Sequence, residues 1–220
     1  MSPLPRRASR RGLRPRQYIG HMARPRLAER RPYDRDRVVD VAVHVFMQRG
    51  YDGTTMADIA AALGIHKTSI YHYVSGKEQL LDDALTRALD SLHGMLSEPG
   101  ADEGSPVERL RYVVRRTVEI MVDRLPEVTV LLRVRGNTPT ERRALSRRRD
   151  FDHAVQRMVG DAIAAGELRD DVDTALVTRL IFGMSNSVIE WYQPRGALSA
   201  GDIATAIEAT VFEGMIRRAR

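Results

Sequence analysis

The chain has 220 residues, 43% of them hydrophobic and 5% aromatic, with a formal net charge of +6. That length and apolar content suit one globular unit or two small ones with a real core. The absence of cysteine excludes disulfides and thiolate chemistry, and no run of about 18 apolar residues offers a membrane span. The cysteine usage agrees with a reducing compartment, and the expected location is cytoplasmic. The N-terminus carries charge with no apolar stretch behind it, unlike a secretory signal.

Residues 1–37 hold twelve arginines against three acids, Glu29, Asp34 and Asp36. That surplus exceeds the charge of the whole chain, so the remainder is net negative. Residues 1–33 read as a basic disordered arm or as a non-native leader. The first reading adds salt-sensitive grip on phosphates. The second rests on Gly20-His21-Met22, which looks like an expression-vector junction with Met22 as the start. Only two lysines occur, Lys67 and Lys77, and both fall in the segment that follows the first helix.

A first helix is predicted from about Asp34 to Arg49, with Val38, Val41, Ala42, Val45 and Phe46 inward and Gly50 as its stop. Residues 54–81, TTMADIAAALGIHKTSIYHYVSGKEQLL, then read as a helix-turn-helix running into a further helix. Thr55 caps the first helix of the pair, with Asp58 as a shortened capping-box partner. Met56, Ile59, Ala60 and Leu63 share one face, and Gly64 suits a left-handed turn. A second helix is predicted over His66 to Val74 with Ile70 inward. His66, Lys67, Thr68, Ser69, Tyr71 and Tyr73 then point outward, offering donors, acceptors and methyl groups to base edges and phosphates. Ser75 and Glu78 are placed as the capping box of the next helix, and Lys77 in its first turn suits a phosphate. A small alanine-rich helix pair with a glycine turn also occurs as plain packing; the KTSIYHYVSGKE string that follows tips the balance to DNA.

Three strings in order, AVHVFMQRGYDGTT (42–55), ADIAAALGI (57–65) and SIYHYVSGKEQLL (69–81), resemble the N-terminal domain of the TetR/AcrR family of transcriptional regulators. The resemblance covers residues 34 to 85, with Val74 where the family pattern has Phe. It implies phosphate contacts from Tyr71, Tyr73 and Lys77, a backbone contact from Thr55, and base contacts from His66, Lys67, Thr68 and Ser69, with Thr54 also in the DNA-binding set.

Beyond the motif, strand signals are nearly absent, which argues an all-α fold. Helices are predicted over about 76–96, 106–124, 127–135, 140–165, 173–192 and 199–217, for about nine in all. The expected organisation is a helix-turn-helix domain over 34–80 and a ligand-binding and dimerisation domain over 81–220. The last two helices carry Leu176, Leu180, Ile181, Met184, Val188, Ile203, Ile207, Thr210, Val211, Gly214 and Met215. That is more apolar surface than a terminal pair needs, and a homodimer through this pair would set two readers one DNA turn apart.

Small-ligand pockets are mostly apolar with a few polar groups. Tyr112, Met121, Leu125, Leu132, Arg133, Asn137, Phe151, Asn186 and Trp191 are the candidates, each also compatible with ordinary core. AAGELRDDVD (164–173) and EWYQPRGALSA (190–200) resemble the C-terminal halves of actinobacterial TetR regulators of sterol-ring and fatty-acid catabolism. That resemblance implies release of DNA on binding acyl-CoA thioesters. Arg133, Arg135, Arg142, Arg143, Arg147, Arg148 and Arg149 form a run that is either a solvated face or a cradle for CoA phosphates.

Six scattered histidines show no metal-ligand spacing, and no glycine-rich phosphate loop follows a strand. No catalytic residue, metal or cofactor is therefore expected. Asp170, Asp171 and Asp173 read as a helix cap rather than a cation site. The expected function is a repressor that leaves a near-palindromic operator when a hydrophobic effector binds. The alternatives are a drug-sensing regulator of efflux and, more remotely, a ligand-independent architectural DNA binder.

Overall fold

The computed structural model describes residues 34–215, with the side chains of 214 and 215 excluded. The two readings of residues 1–33 lie outside the described residues. Those described form helices and connecting turns, with no strand among them.

Local caps account for most helix starts. Asp34 accepts from Arg37 N at 2.8 Å and opens α1 (Arg35–Arg49), which stops at Gly50 with φ +78°. The Thr55–Asp58 capping box opens α2 (Met56–Leu63), and Gly64 ends it in the left-handed region at φ 72°, ψ 28°. The second helix of the pair is shorter than predicted. Only α3 (Lys67–Ile70) is helical, and tighter turns through Tyr73 and Val74 replace the rest. The predicted Ser75–Glu78 box is also absent. Gly76 precedes α4 (Lys77–Gly94), the Ser75 hydroxyl donates to Gln79 Oε1, and Glu78 instead accepts from Thr140 on another helix.

A 3-10 turn leads into the single-turn α5 (Pro99–Asp102), a stretch the glycine and proline content marks as a break and loop. Ser105 and Glu108 box the start of α6 (Pro106–Asp123), with a proline at its first position, where no N–H is needed. Pro126 sits in the first turn of α7 (Leu125–Arg133). Thr138 caps α8 (Pro139–Ala164), and Asp173 caps α9 (Thr174–Asn186) as expected. The helix predicted over 173–192 is interrupted at Ser187, whose hydroxyl bonds back to Met184 O, leaving Val188–Trp191 as α10. Ser199 and Asp202 cap each other at the start of α11 (Ala200–Met215).

One buried apolar cluster runs from Val38 to Phe212. The long α4 joins its two ends, burying Leu80, Leu81, Ala84, Leu85, Ala88, Leu89 and Leu92 while packing on α1, α7 and α8. The boundary expected at 80/81 therefore falls inside a helix that belongs to both halves. In the C-terminal half, α6 lies centrally against α5, α8, α10 and α11.

Candidate DNA-reading face and effector cavity

The α2–α3 pair is locked from beneath. Ile59, Leu63, Ile70 and Val74 are buried, and the Gly64 turn is closed by Ile65 N donating to Ala60 O at 3.0 Å. This leaves His66, Lys67 and Thr68 exposed and Ser69 half-buried, as a base-reading set requires. The Lys67 side chain makes no hydrogen bond or ion pair among the described residues. Tyr71 is 48% exposed with its ring free to meet a backbone, whereas Tyr73 packs half-buried against the core.

Two other expected contacts look different. Thr54 is 1% exposed, and its hydroxyl donates to Gly50 O at 2.7 Å. Its side chain is committed to the α1–α2 loop and leaves the DNA-contact set. Thr55 is exposed, but its hydroxyl is occupied by the capping box. Lys77 donates to Tyr51 O at 2.9 Å and lies 4.3 Å from the Tyr51 ring centroid. It thus ties α4 to the loop before α2 and keeps two further ammonium protons for a phosphate. The Thr55 hydrogen bonds, followed by Arg49 at 2.6 Å, hold the Asp58 carboxyl below its usual range.

The effector candidates divide. Met121, Leu132, Phe151 and Asn186 meet in a cavity of about 30 Å³ between α4, α6, α7, α8 and α9. Sequence patterning missed Leu92, Thr117, Val128, Leu131 and Phe182 in the same walls, because each also fits an ordinary buried stripe. Phe151 is the centre, with ring centroids 5.9 Å from His93 and 5.7 Å from Phe182. His93 Nε2–H in turn donates to Arg147 O at 3.0 Å. At the polar edge stand Arg148 and Asp152, and burial raises the Asp152 carboxyl above its usual range while Arg148 opposes the rise.

The remaining candidates lie elsewhere. Tyr112 donates to Glu98, and a Cβ at Gly100 would come within 2.4 Å of its ring, so it seats α5 on α6. Leu125 only opens α7. Trp191 is half exposed and donates to Ser187 Oγ. Arg133 donates to Met47 O at 2.8 Å, and both it and Asn137 line a second cleft beside Tyr51. The arginine run does not act as one cradle: Arg142 holds Gly136 O, Arg143 and Arg147 pair with Asp82 and Asp90 of α4, and Arg148 faces the cavity.

These contacts link cavity to reader. Val128, Leu131 and Leu132 of α7 form one wall, and the next residue grips the C-terminal turn of α1. The α7–α8 turn is held by Glu141, 3% exposed, whose carboxylate accepts from the N–H groups of Arg135, Gly136 and Asn137.

The apolar surface of the last helices is narrower than expected. Ile181, Val188, Ile203, Ile207 and Val211 are buried in this chain's own core, and Met184 is half-buried. Leu176 and Leu180 on α9 stay open, at 47% and 61% exposed, as does Leu198 before α11. Gly214 and Met215 lie outside the described side chains. Among the described residues no group of three or more potential ligands could hold a metal ion, and no helix is long and apolar enough to cross a membrane.

Residues 38–84 match the family described as bacterial regulatory proteins, tetR family, and residues 103–215 match the tetracyclin repressor-like C-terminal domain. The HTH-type transcriptional repressor KstR2 of Mycolicibacterium smegmatis is 29% identical over 191 residues, covering 82% of this chain and 90% of the relative. SCO3833, a TetR-family member from Streptomyces coelicolor A3, is 50% identical with a TM-score of 0.78, covering 87% of this chain and 94% of that one. AibR, solved with isovaleryl coenzyme A and operator DNA, is 26% identical with a TM-score of 0.70, covering 81% and 97%. With both halves matched in this order, the chain belongs to the TetR family of DNA-binding transcriptional regulators.

Proposed function

We propose that this protein is a homodimeric repressor that leaves a near-palindromic operator when a small hydrophobic effector, an acyl-CoA thioester, enters the cavity around Phe151. The observation that carries this reading is the cavity's size and position. Its volume of about 30 Å³ holds little more than a water, whereas ligand pockets run to roughly 300–1,000 Å³. An acyl group therefore fits only if the walls part. One of those walls is α7, whose last residue, Arg133, holds Met47 O of α1. Binding energy and reader position are thereby coupled, which is what a differential affinity for two states requires.

Arg148 at the polar edge suits a thioester's phosphates, and Asn186 offers the only neutral amide among the lining side chains. The similarity to AibR, which was solved with isovaleryl coenzyme A and operator DNA, supports the same ligand class. Leu176 and Leu180 supply the exposed face of the dimer, beside α11.

The test is fluorescence anisotropy on DNA from upstream of the protein's own gene, at fixed salt. Saturated acyl-CoAs and ring-fragment CoA thioesters are titrated in, with free CoA and free acids as controls. Release by one thioester and not by its acid is the expected outcome. Specific binding that no thioester disturbs would discard the CoA assignment and retain the regulator. In a randomised-operator selection, Lys67→Ala should change the preferred bases; an unchanged preference removes Lys67 from the reading set.

A further inference from the structure

Arg109 Nε is the only buried side-chain nitrogen or oxygen without a hydrogen-bond partner among the described residues. Such atoms are rare in native folds, and one on a permanent charge asks for an explanation in its surroundings. The other arginines of α6 are all satisfied: Arg111 and Arg115 grip Glu208, and Arg116 grips Glu98 and Glu119. Other atoms of the Arg109 side chain line a cleft of about 310 Å³ between α5, α6 and α8. Arg157 of α8 lines the same cleft, and its side chain likewise forms no hydrogen bond or ion pair among the described residues. Asp161, one turn further along α8, is the only acid in the lining and pairs with neither.

The other walls are apolar: Leu96, Ala101, Pro106 and Met158 among them. The cleft is also preformed. The Glu167 carboxylate accepts from Val107 N at 2.7 Å and from the Ser105 hydroxyl, fixing the start of α6 against the end of α8. It is distinct from the cavity around Phe151. Arg148, Phe151 and Asp152 line that cavity, while Ala154, Arg157, Met158 and Asp161 line this cleft, on another face of the same helix by the 3.6-residue period.

We propose that this cleft is a second ligand site, for a small aliphatic monocarboxylate whose oxygens bridge Arg109 and Arg157 while its chain lies along Leu96 and Met158. Two guanidiniums and one carboxylate leave a single net positive charge, which suits a monoanion and disfavours a dianion. The planar fork of Arg109 suits a carboxylate. The proposal does not rest on the effector reading.

Isothermal titration of the full chain with sodium hexanoate tests it, with hexanamide and inorganic phosphate at matched ionic strength. Saturable hexanoate binding is expected, with affinity falling at least about tenfold in Arg109→Gln and in Arg157→Gln, as loss of a charge-assisted pair implies. Arg157 is exposed, so its variant decides the matter should Arg109→Gln fold poorly. Arg148→Gln, in the other cavity, should leave hexanoate affinity unchanged. The site is overturned if hexanoate shows no saturable binding, if hexanamide binds as tightly, or if both glutamine variants retain affinity. Loss of hexanoate in Arg148→Gln would move the carboxylate to the other cavity and overturn it equally. Phosphate binding as tightly as hexanoate would overturn the monocarboxylate assignment.

Discussion

Asp58 in the helix-turn-helix and Asp152 at the Phe151 cavity are both carboxylates on helices, and their surroundings push them in opposite directions. Asp58 is half open to water and held in its charged form by hydrogen bonds from Thr55, its neighbour across one turn. Asp152 is partly withdrawn from water, and burial favours its neutral form. The reader keeps its polar groups in short local exchanges and turns the rest outward. The cavity withdraws polar groups among apolar walls that come from five helices. A reader built locally keeps its shape while it is shifted as a unit. A cavity built from distant helices changes shape when any one of them moves.

The largest expected effect separates the two regions. Phe151→Ala should cost about 3–5 kcal/mol in urea unfolding, since the ring is buried between His93 and Phe182. The operator affinity of the folded, effector-free protein should stay close to wild type, because emptying the cavity does not displace α7 or its Arg133–Met47 link to α1; a parallel fall would mean that the ring itself holds the reader in place.

Lys77→Ala comes next and tests the reader's dual use of one side chain. Loss of the Tyr51 contacts should lower stability by about 1–2 kcal/mol. The slope of log affinity against log salt should become shallower by about one. A stability loss with an unchanged salt slope would make Lys77 a purely structural tie.

Thr55→Ala should lower stability by about 1 kcal/mol through the lost cap. Because Asp58 has a depressed folded pKa, its contribution is present above the usual carboxylate pKa and lost as pH falls through the depressed value. That acid-side loss should shrink in the variant, as measured by unfolding across acidic pH.

Asp152→Asn should have the smallest effect and the opposite pH sign. A folded pKa raised above 3.8 gives stability that is present below that value and lost as pH rises through the folded one. The variant lacks that loss, so its stability relative to wild type should climb with pH and level off once Asp152 is ionised. A difference independent of pH would contradict the desolvation account.

How much was legible in the sequence follows the same division. The caps at Thr55 and Asp173 and the stops at Gly50 and Gly64 all stand where patterning placed them. The Ser75 box failed because Glu78 found Thr140, a partner 62 residues away that no local rule weighs. Met121, Leu132, Phe151 and Asn186 were found by residue type; Tyr112 and Trp191 shared that type and lie outside the cavity. The signal that could have added Asp152 is its place directly after Phe151 and four residues beyond Arg148, and Arg148 is itself hidden within a run of arginines.

By itself the sequence determined the all-α fold, the helix-turn-helix and the outward set at His66, Lys67 and Thr68, because capping, turning and amphipathic spacing act within about one helical turn. Only the tertiary structure decided that Thr54 is core, that Lys77 is bound to Tyr51, and that Arg148 reaches the cavity while Arg143 and Arg147 grip α4. It also decided that Ile203 and Val211 are covered by their own chain while Leu180 stays open. Each of these depends on which distant helix lies opposite, and helical periodicity is silent on that.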